Sequence, residues 1–146
     1  MKEEVVDFLV NLYTMTEVRV GTVTAVLWGL FSNLVGGIDE PITALIWLVI
    51  VDFATGITAA YRTATWDSKH GFRGMCKKAT MFLVIAFMFW LDVAMQIHML
   101  RGMAISGFAI IEAMSILENI DRCGWGWVIP DFIRGKLVQI REEKKI

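Results

Sequence analysis

Residues 42–61 read ITALIWLVIVDFATGITAAY, and this stretch decides the fold class. It holds one charge, Asp52, among aliphatic and aromatic side chains. An α-helix rises about 1.5 Å per residue and the bilayer hydrocarbon is about 30 Å thick, so about 20 apolar residues cross it. The stretch has that length. Residues 79–100, ATMFLVIAFMFWLDVAMQIHML, repeat the pattern with one acid, Asp92. Residues 103–120 are shorter and carry Glu112 and Glu118. Residues 20–38 carry no charge but are diluted by Thr, Ser, Asn and Gly. The expected fold is all-α: one membrane domain over residues 1–146, a helical bundle with four spans, three at the least.

Composition agrees. Of 146 residues, 56% are hydrophobic and 20% are charged, and the mean hydropathy is +0.57. Soluble domains average roughly 45–50% apolar and about 25% charged, and with three apolar spans a soluble enzyme is not expected. The start, Met1-Lys2-Glu3-Glu4, is acidic, and no small-residue cleavage site follows an apolar run. The first span is therefore expected to be retained. Met15 is a candidate second translation start.

Turn residues separate the spans. Gly36-Gly37-Ile38-Asp39-Glu40-Pro41 reads as a turn whose proline opens a helix. Residues 62–78 read as a polar, basic loop, and residues 98–102 as a tight hairpin. Cys123-Gly124-Trp125-Gly126-Trp127 closes the last span with tryptophans suited to an interface. Pro130 opens a short C-terminal helix, with Ile133, Leu137 and Ile140 on one side and charges elsewhere. Such a helix lies on the membrane surface or docks on the bundle.

Lysine and arginine set the orientation, because basic loops stay in the cytoplasm. Residues 62–78 hold Arg62, Lys69, Arg73, Lys77 and Lys78, as orientation signals and lipid contacts. The tail, residues 121–146, holds Arg122, Arg134, Lys136, Arg141, Lys144 and Lys145. The 36–41 turn has no basic residue and the hairpin only Arg101. The 62–78 loop and the tail are thus expected inside. Four spans place the N-terminus inside too. Cys76 and Cys123 fall on that side and are expected as reduced thiols.

A charge at mid-bilayer costs about 2.5–3.5 kcal/mol on insertion scales, so Asp52, Asp92 and Glu112 should face protein or water. Asp52, Thr55 and Gly56 share a helix face with Ala59 and Thr63, and Asp92 lies one turn from Gln96. Glu112, Ser115 and Asn119 form a polar stripe, with Glu118 near its end. Small residues form two further faces: Gly102, Ser106, Ala109 and Ala113 in one span, and Thr22, Ala25, Gly29, Asn33 and Gly36 in another. Small faces let helices approach closely, and polar groups bond across the contact. They serve equally as packing faces of a monomeric bundle and as the lining of a lesion.

No other chemistry is indicated. His70 and His98 have no metal-ligand partner at useful spacing, and no nucleophile has an evident base. The expectation is a non-enzyme with no cofactor, no metal and no nucleic-acid partner.

Asp52-Phe-Ala-Thr-Gly56-Ile-Thr-Ala-Ala60, then Ser68-Lys-His-Gly71-Phe-Arg-Gly74-Met-Cys-Lys77-Lys78, then Asp92, resembles the toxin secretion/phage lysis holin family, which includes the clostridial toxin-release holins. Ser115-Ile-Leu-Glu-Asn119, followed by Gly124 and Pro130, continues the likeness, which spans residues 47–137. Asp52, Gly56, Gly71, Gly74, Lys78, Asp92, Glu112, Ser115, Glu118 and Asn119 are the matching positions. The resemblance implies a phage-type protein that needs no cofactor. It would form homo-oligomers in the host inner membrane and open timed lesions for an endolysin or a large toxin. Two other classes stay open on the residues alone: a small ion channel or transporter using the intramembrane acids, and a non-conducting membrane scaffold.

Overall fold

The computed structural model describes residues 14–65 and 68–144. Among them all regular structure is helical: α1 Met15–Leu34, α2 Glu40–Arg62, α3 Ser68–Met95, α4 Leu100–Arg122, a 3-10 turn Gly126–Val128, and α5 Asp131–Lys144. The chain divides after Leu34 into two units. By length and composition, three helices among the described residues suffice to cross a membrane: α2, α3 from Gly71, and α4. The chain is therefore a membrane protein with at least three such helices.

The first unit contains α1, which carries no buried residue. Val18, Val23, Val26, Leu27, Trp28 and Leu30 are all exposed. It overlaps the expected 20–38 stretch but starts five residues earlier and ends four residues earlier. It ends at Leu34 because Gly36 and Gly37 take positive φ, 84° and 102°, which a helix cannot continue through.

In the second unit, Asp39 caps α2, accepting from the Ile42 N–H at 3.3 Å, with Pro41 in the first turn. The helix contains the expected 42–61 span. The third boundary needs correction. Residues 68–78 are not loop but the opening turns of α3, so the connection from α2 shrinks to residues 63–67. Continuing the helix satisfies its own backbone groups where the chain enters lipid. Gly71 and Gly74, which looked like loop residues, stand in open space within it. At its other end α3 stops at Met95, not residue 100. Gln96 adopts φ 55°, and the Ile97 N–H bonds back to the Asp92 carbonyl at 3.1 Å. This is the left-handed close of a Schellman cap. The hairpin is thus residues 96–99, and α4 starts at Leu100, three residues before the expected 103. α2 and α4 end the same way, through Ala64 at φ 51° and Gly124 at φ 75°.

α4 is the hub, with α2, α3 and α5 all packing on it. Two chain connections apart, α2 and α4 run in the same direction. Ile42, Leu45 and Ala59 of α2, Met81, Ile85 and Ala86 of α3 and Ile105 of α4 form the core. Trp47, Ile50, Phe53, Leu83, Phe87 and Trp90 point outward and are exposed, while Asp52, Asp92, Glu112 and Asn119 are buried. Large apolar groups outside and charges inside is the reverse of a soluble bundle. It suits a solvent of acyl chains.

Candidate functional site

Lys78 is the centre of the buried polar cluster. It shares a stripe of α3 with Met81, Ile85 and Asp92, all buried, so helical spacing carries its stem into the interior. Its ammonium donates to Asp52 Oδ2 of α2 at 2.8 Å and also to Glu112 Oε2 of α4. Asp52 keeps its second oxygen for Asn119, whose Nδ2 donates to Oδ1 at 3.0 Å and to the Asp52 carbonyl at 3.3 Å. Thr55 Oγ1 lies 3.4 Å from the same amide and turns its own hydrogen onto the Val51 and Asp52 carbonyls. Gly56 leaves room for this approach: a Cβ there would sit 3.4 Å from Asn119 Nδ2. One cation therefore joins two carboxylates from two other helices. Burial makes each partner dependent on the rest.

Two arginines strap the ends of the α2–α4 pair. Arg101, at the start of α4, donates Nε to the Val35 carbonyl at 2.7 Å and a second nitrogen to the Gly37 carbonyl at 3.0 Å. It also grips Asp39, at 2.5 and 3.0 Å. That guanidinium holds the Asp39 carboxyl below its ordinary value, against partial burial. At the opposite end, Arg62 of α2 donates to the Cys123 carbonyl at 2.6 Å and lies over the Trp125 ring, 4.5 Å from its centroid. Arg134 of α5 clasps Asp121 with two bonds of 2.6 Å. Gly126 permits this clasp, since a Cβ there would collide with the Asp121 carboxylate.

Asp92 serves the hairpin. Its carboxylate accepts from the N–H groups of Met99, Leu100 and Arg101 at 3.2, 3.0 and 2.9 Å. Met99, the residue at the α4 N-cap, offers no side-chain bond, so Asp92 of the preceding helix supplies the missing cap.

The sequence model of the bacteriophage holin family matches residues 29–142. The chain belongs to that family. The family is one of membrane proteins and not of enzymes. Relatives are similar over most of their length. An uncharacterised protein of Clostridium perfringens strain 13 is 29% identical over 119 residues, 80% of this chain and 87% of the relative. An uncharacterised Listeria monocytogenes protein is 29% identical, covering 75% and 77%. One from Halalkalibacterium halodurans is 33% identical, covering 68% and 78%. No solved structure matches the chain.

Within this holin fold, the residues singled out from sequence separate into groups. Asp52, Thr55, Gly56, Glu112 and Asn119 meet around Lys78. Ser115 is half-buried on the same helix, and Glu118 is exposed. Asp92 and Gln96 do not share a helix face, because α3 ends between them and Gln96 is exposed. Gly36 packs against the Phe89 ring. Gly102 and Ser106 are exposed, the Ser106 hydroxyl donating to the Gly102 carbonyl at 2.8 Å. Ala109 and Ala113 are half-buried, and Gly29, in α1, is exposed with open space about it. Arg73 and Lys77 are exposed, and the side chain of Lys69 lies outside the described residues. Lys78 departs most from expectation. Grouped with the basic loop as an orientation and lipid contact, it turns inward to two acids instead. The signal was the stripe Lys78, Met81, Ile85, Asp92, visible once the helix is extended back through residue 78.

Proposed function

We propose that this chain works as a holin. Copies collect as homo-oligomers in the bacterial inner membrane, then open timed lesions through which an endolysin, or a large toxin, leaves the cell. The observation that carries this reading is the Asp52–Lys78–Glu112 cluster inside apolar spans of a holin-family chain. In the closed state these groups satisfy one another. A water-filled lesion needs polar walls, and this face supplies them once the helices turn or part. Separating the charges in lipid is costly, whereas water screens them. Opening is therefore cooperative. The membrane potential biases it, since each elementary charge moved across the field is worth about 2.3 kcal/mol per 100 mV.

α1 is a fourth crossing in this reading, since no charge follows Arg19 in it and Val20, Val23, Val26, Leu27, Trp28 and Leu30 are exposed apolar groups. Both ends then lie in the cytoplasm with Arg62, Arg73 and Lys77. The test co-expresses the chain with an endolysin that has no export signal and times lysis with and without an uncoupler. Lysis should be abrupt, advanced by the uncoupler, and shifted in time by Asp52→Asn. Depolarisation with the endolysin retained inside would overturn the reading in favour of an ion channel. Growth without depolarisation or lysis would favour a scaffold.

A further inference from the structure

A groove of about 330 Å³ opens between α3 and α4. Cys76, Lys77, Thr80, Met81 and Val84 of α3 line it together with Phe108 of α4. We propose that it is a binding site for one anionic phospholipid of the bilayer, with an acyl chain in the groove and the headgroup phosphate on Lys77. This depends only on the chain residing in a membrane, not on lesion formation.

The order of residues along α3 matches the order of parts in such a lipid. Arg73, Lys77, Thr80 and Val84 fall on one face at helical spacing, basic first, then hydroxyl, then apolar. The basic end of this face lies where α3 enters the apolar span at Gly71. Phe108 of α4 adds to the apolar lining. Lys78, one residue on, has its ammonium committed to Asp52 and Glu112. Among the described residues no carboxylate pairs with Lys77 or Arg73. Their charges are available to a phosphate, and basic groups between helices at a membrane surface favour anionic headgroups. The volume is at the lower end of small-ligand pockets, roughly 300–1,000 Å³, as suits part of one acyl chain.

Cys76 lines the groove and is exposed, whereas Cys123 is buried, so the native thiol reports occupancy. The full chain is placed in bilayer discs of phosphatidylglycerol or of phosphatidylcholine with identical acyl chains. Alkylation of Cys76 by a neutral maleimide is timed by peptide mass spectrometry. Slower alkylation in phosphatidylglycerol is expected. Lys77→Gln, at an exposed position that does not threaten folding, should weaken occupancy about fivefold and remove most of the slowing. Val84→Trp adds bulk to the groove lining without altering charge and should also remove the headgroup dependence. Equal rates in the two lipids for the native chain would overturn the proposal. So would slowing that survives in both variants, which marks a general surface field. Strong protection in both lipids would overturn it too, pointing to a second copy of the chain over the groove.

Discussion

The ends and the middle of the α2–α4 pair are held by different physics. At the ends, Arg101 and Arg62 reach mainly for backbone carbonyls, and the partner side chain Asp39 is 45% exposed. The carboxylate side of such a strap is open to water, which makes the ion pair modest. In the middle, Lys78, Asp52 and Glu112 are largely shielded, and the loss of Lys78 strands two acids. The ends set register; the middle decides whether the three helices stay together. The proposed holin role, quiet and then abruptly open, would benefit from this division, because a strap with an exposed carboxylate yields gradually and a shielded cluster does not.

The sharpest way to break the comparison is Lys78→Met. It leaves two carboxylates in apolar spans without their cation, and about 3–5 kcal/mol of stability should go. Membrane accumulation and thermal unfolding in detergent would read this. Adding Asp52→Asn and Glu112→Gln to the same chain should restore most of the loss, since the stranded charge is then gone. If Lys78→Met alone is as mild as a surface change, the middle is no different from the ends.

Sequence periodicity made the spans legible because lipid imposes a single demand, about 20 apolar residues, on each. It made Asp52, Glu112 and Asn119 legible as interior groups for the same reason. It missed the cation that joins them, because Lys78 stands among other basic residues and basic residues were read as loop. It also misread Asp92 and Gln96 as one face. Nothing in FWLDVAMQIHML announces that residue 96 takes a left-handed conformation, which glycine usually supplies. Arg62 bonds the Cys123 carbonyl, and Arg101 bonds the Val35 and Gly37 carbonyls beside the Asp39 carboxylate; every residue carries a carbonyl, so composition could not point to those bonds.

Asp92→Ala tests the hairpin end next. Three N–H groups at the start of α4 would lose their acceptor. The expected cost is about 1–2 kcal/mol, the range of a lost helix cap. It should be local: amide exchange should quicken at residues 99–101 and not at residues 112–119. Equal quickening across α4 would show that the hairpin and the buried cluster unfold as one.

A smaller effect separates the Arg101 strap from the buried cluster by pH. The Asp39 carboxyl is held below the 3.8 of the free side chain, chiefly by its bond from Arg101. The strap therefore gives its full stabilisation above pH 3.8 and loses it as the pH falls through the lower, folded value. With Asp39 nearly half-exposed, the term is about 1 kcal/mol or less. Asp39→Asn should flatten this part of the acid profile and leave the Lys78→Met penalty at neutral pH untouched. A coupled loss of both would mean that register and cohesion are one property.

The smallest change should run the other way. Gln96 holds φ 55° at the close of α3, where an L side chain crowds the following carbonyl and glycine does not. Gln96 is exposed and no bond from its side chain ties it down among the described residues. Gln96→Gly should therefore stabilise the hairpin by about 0.5–1 kcal/mol, net of the greater freedom glycine has in the unfolded chain. The gain should appear as slower amide exchange at residues 97–101, with α2 unaffected. If Gln96→Gly also delays lysis, the hairpin moves when the lesion opens. If it stabilises without delaying lysis, opening is governed by the Lys78 cluster alone and the ends only keep the register.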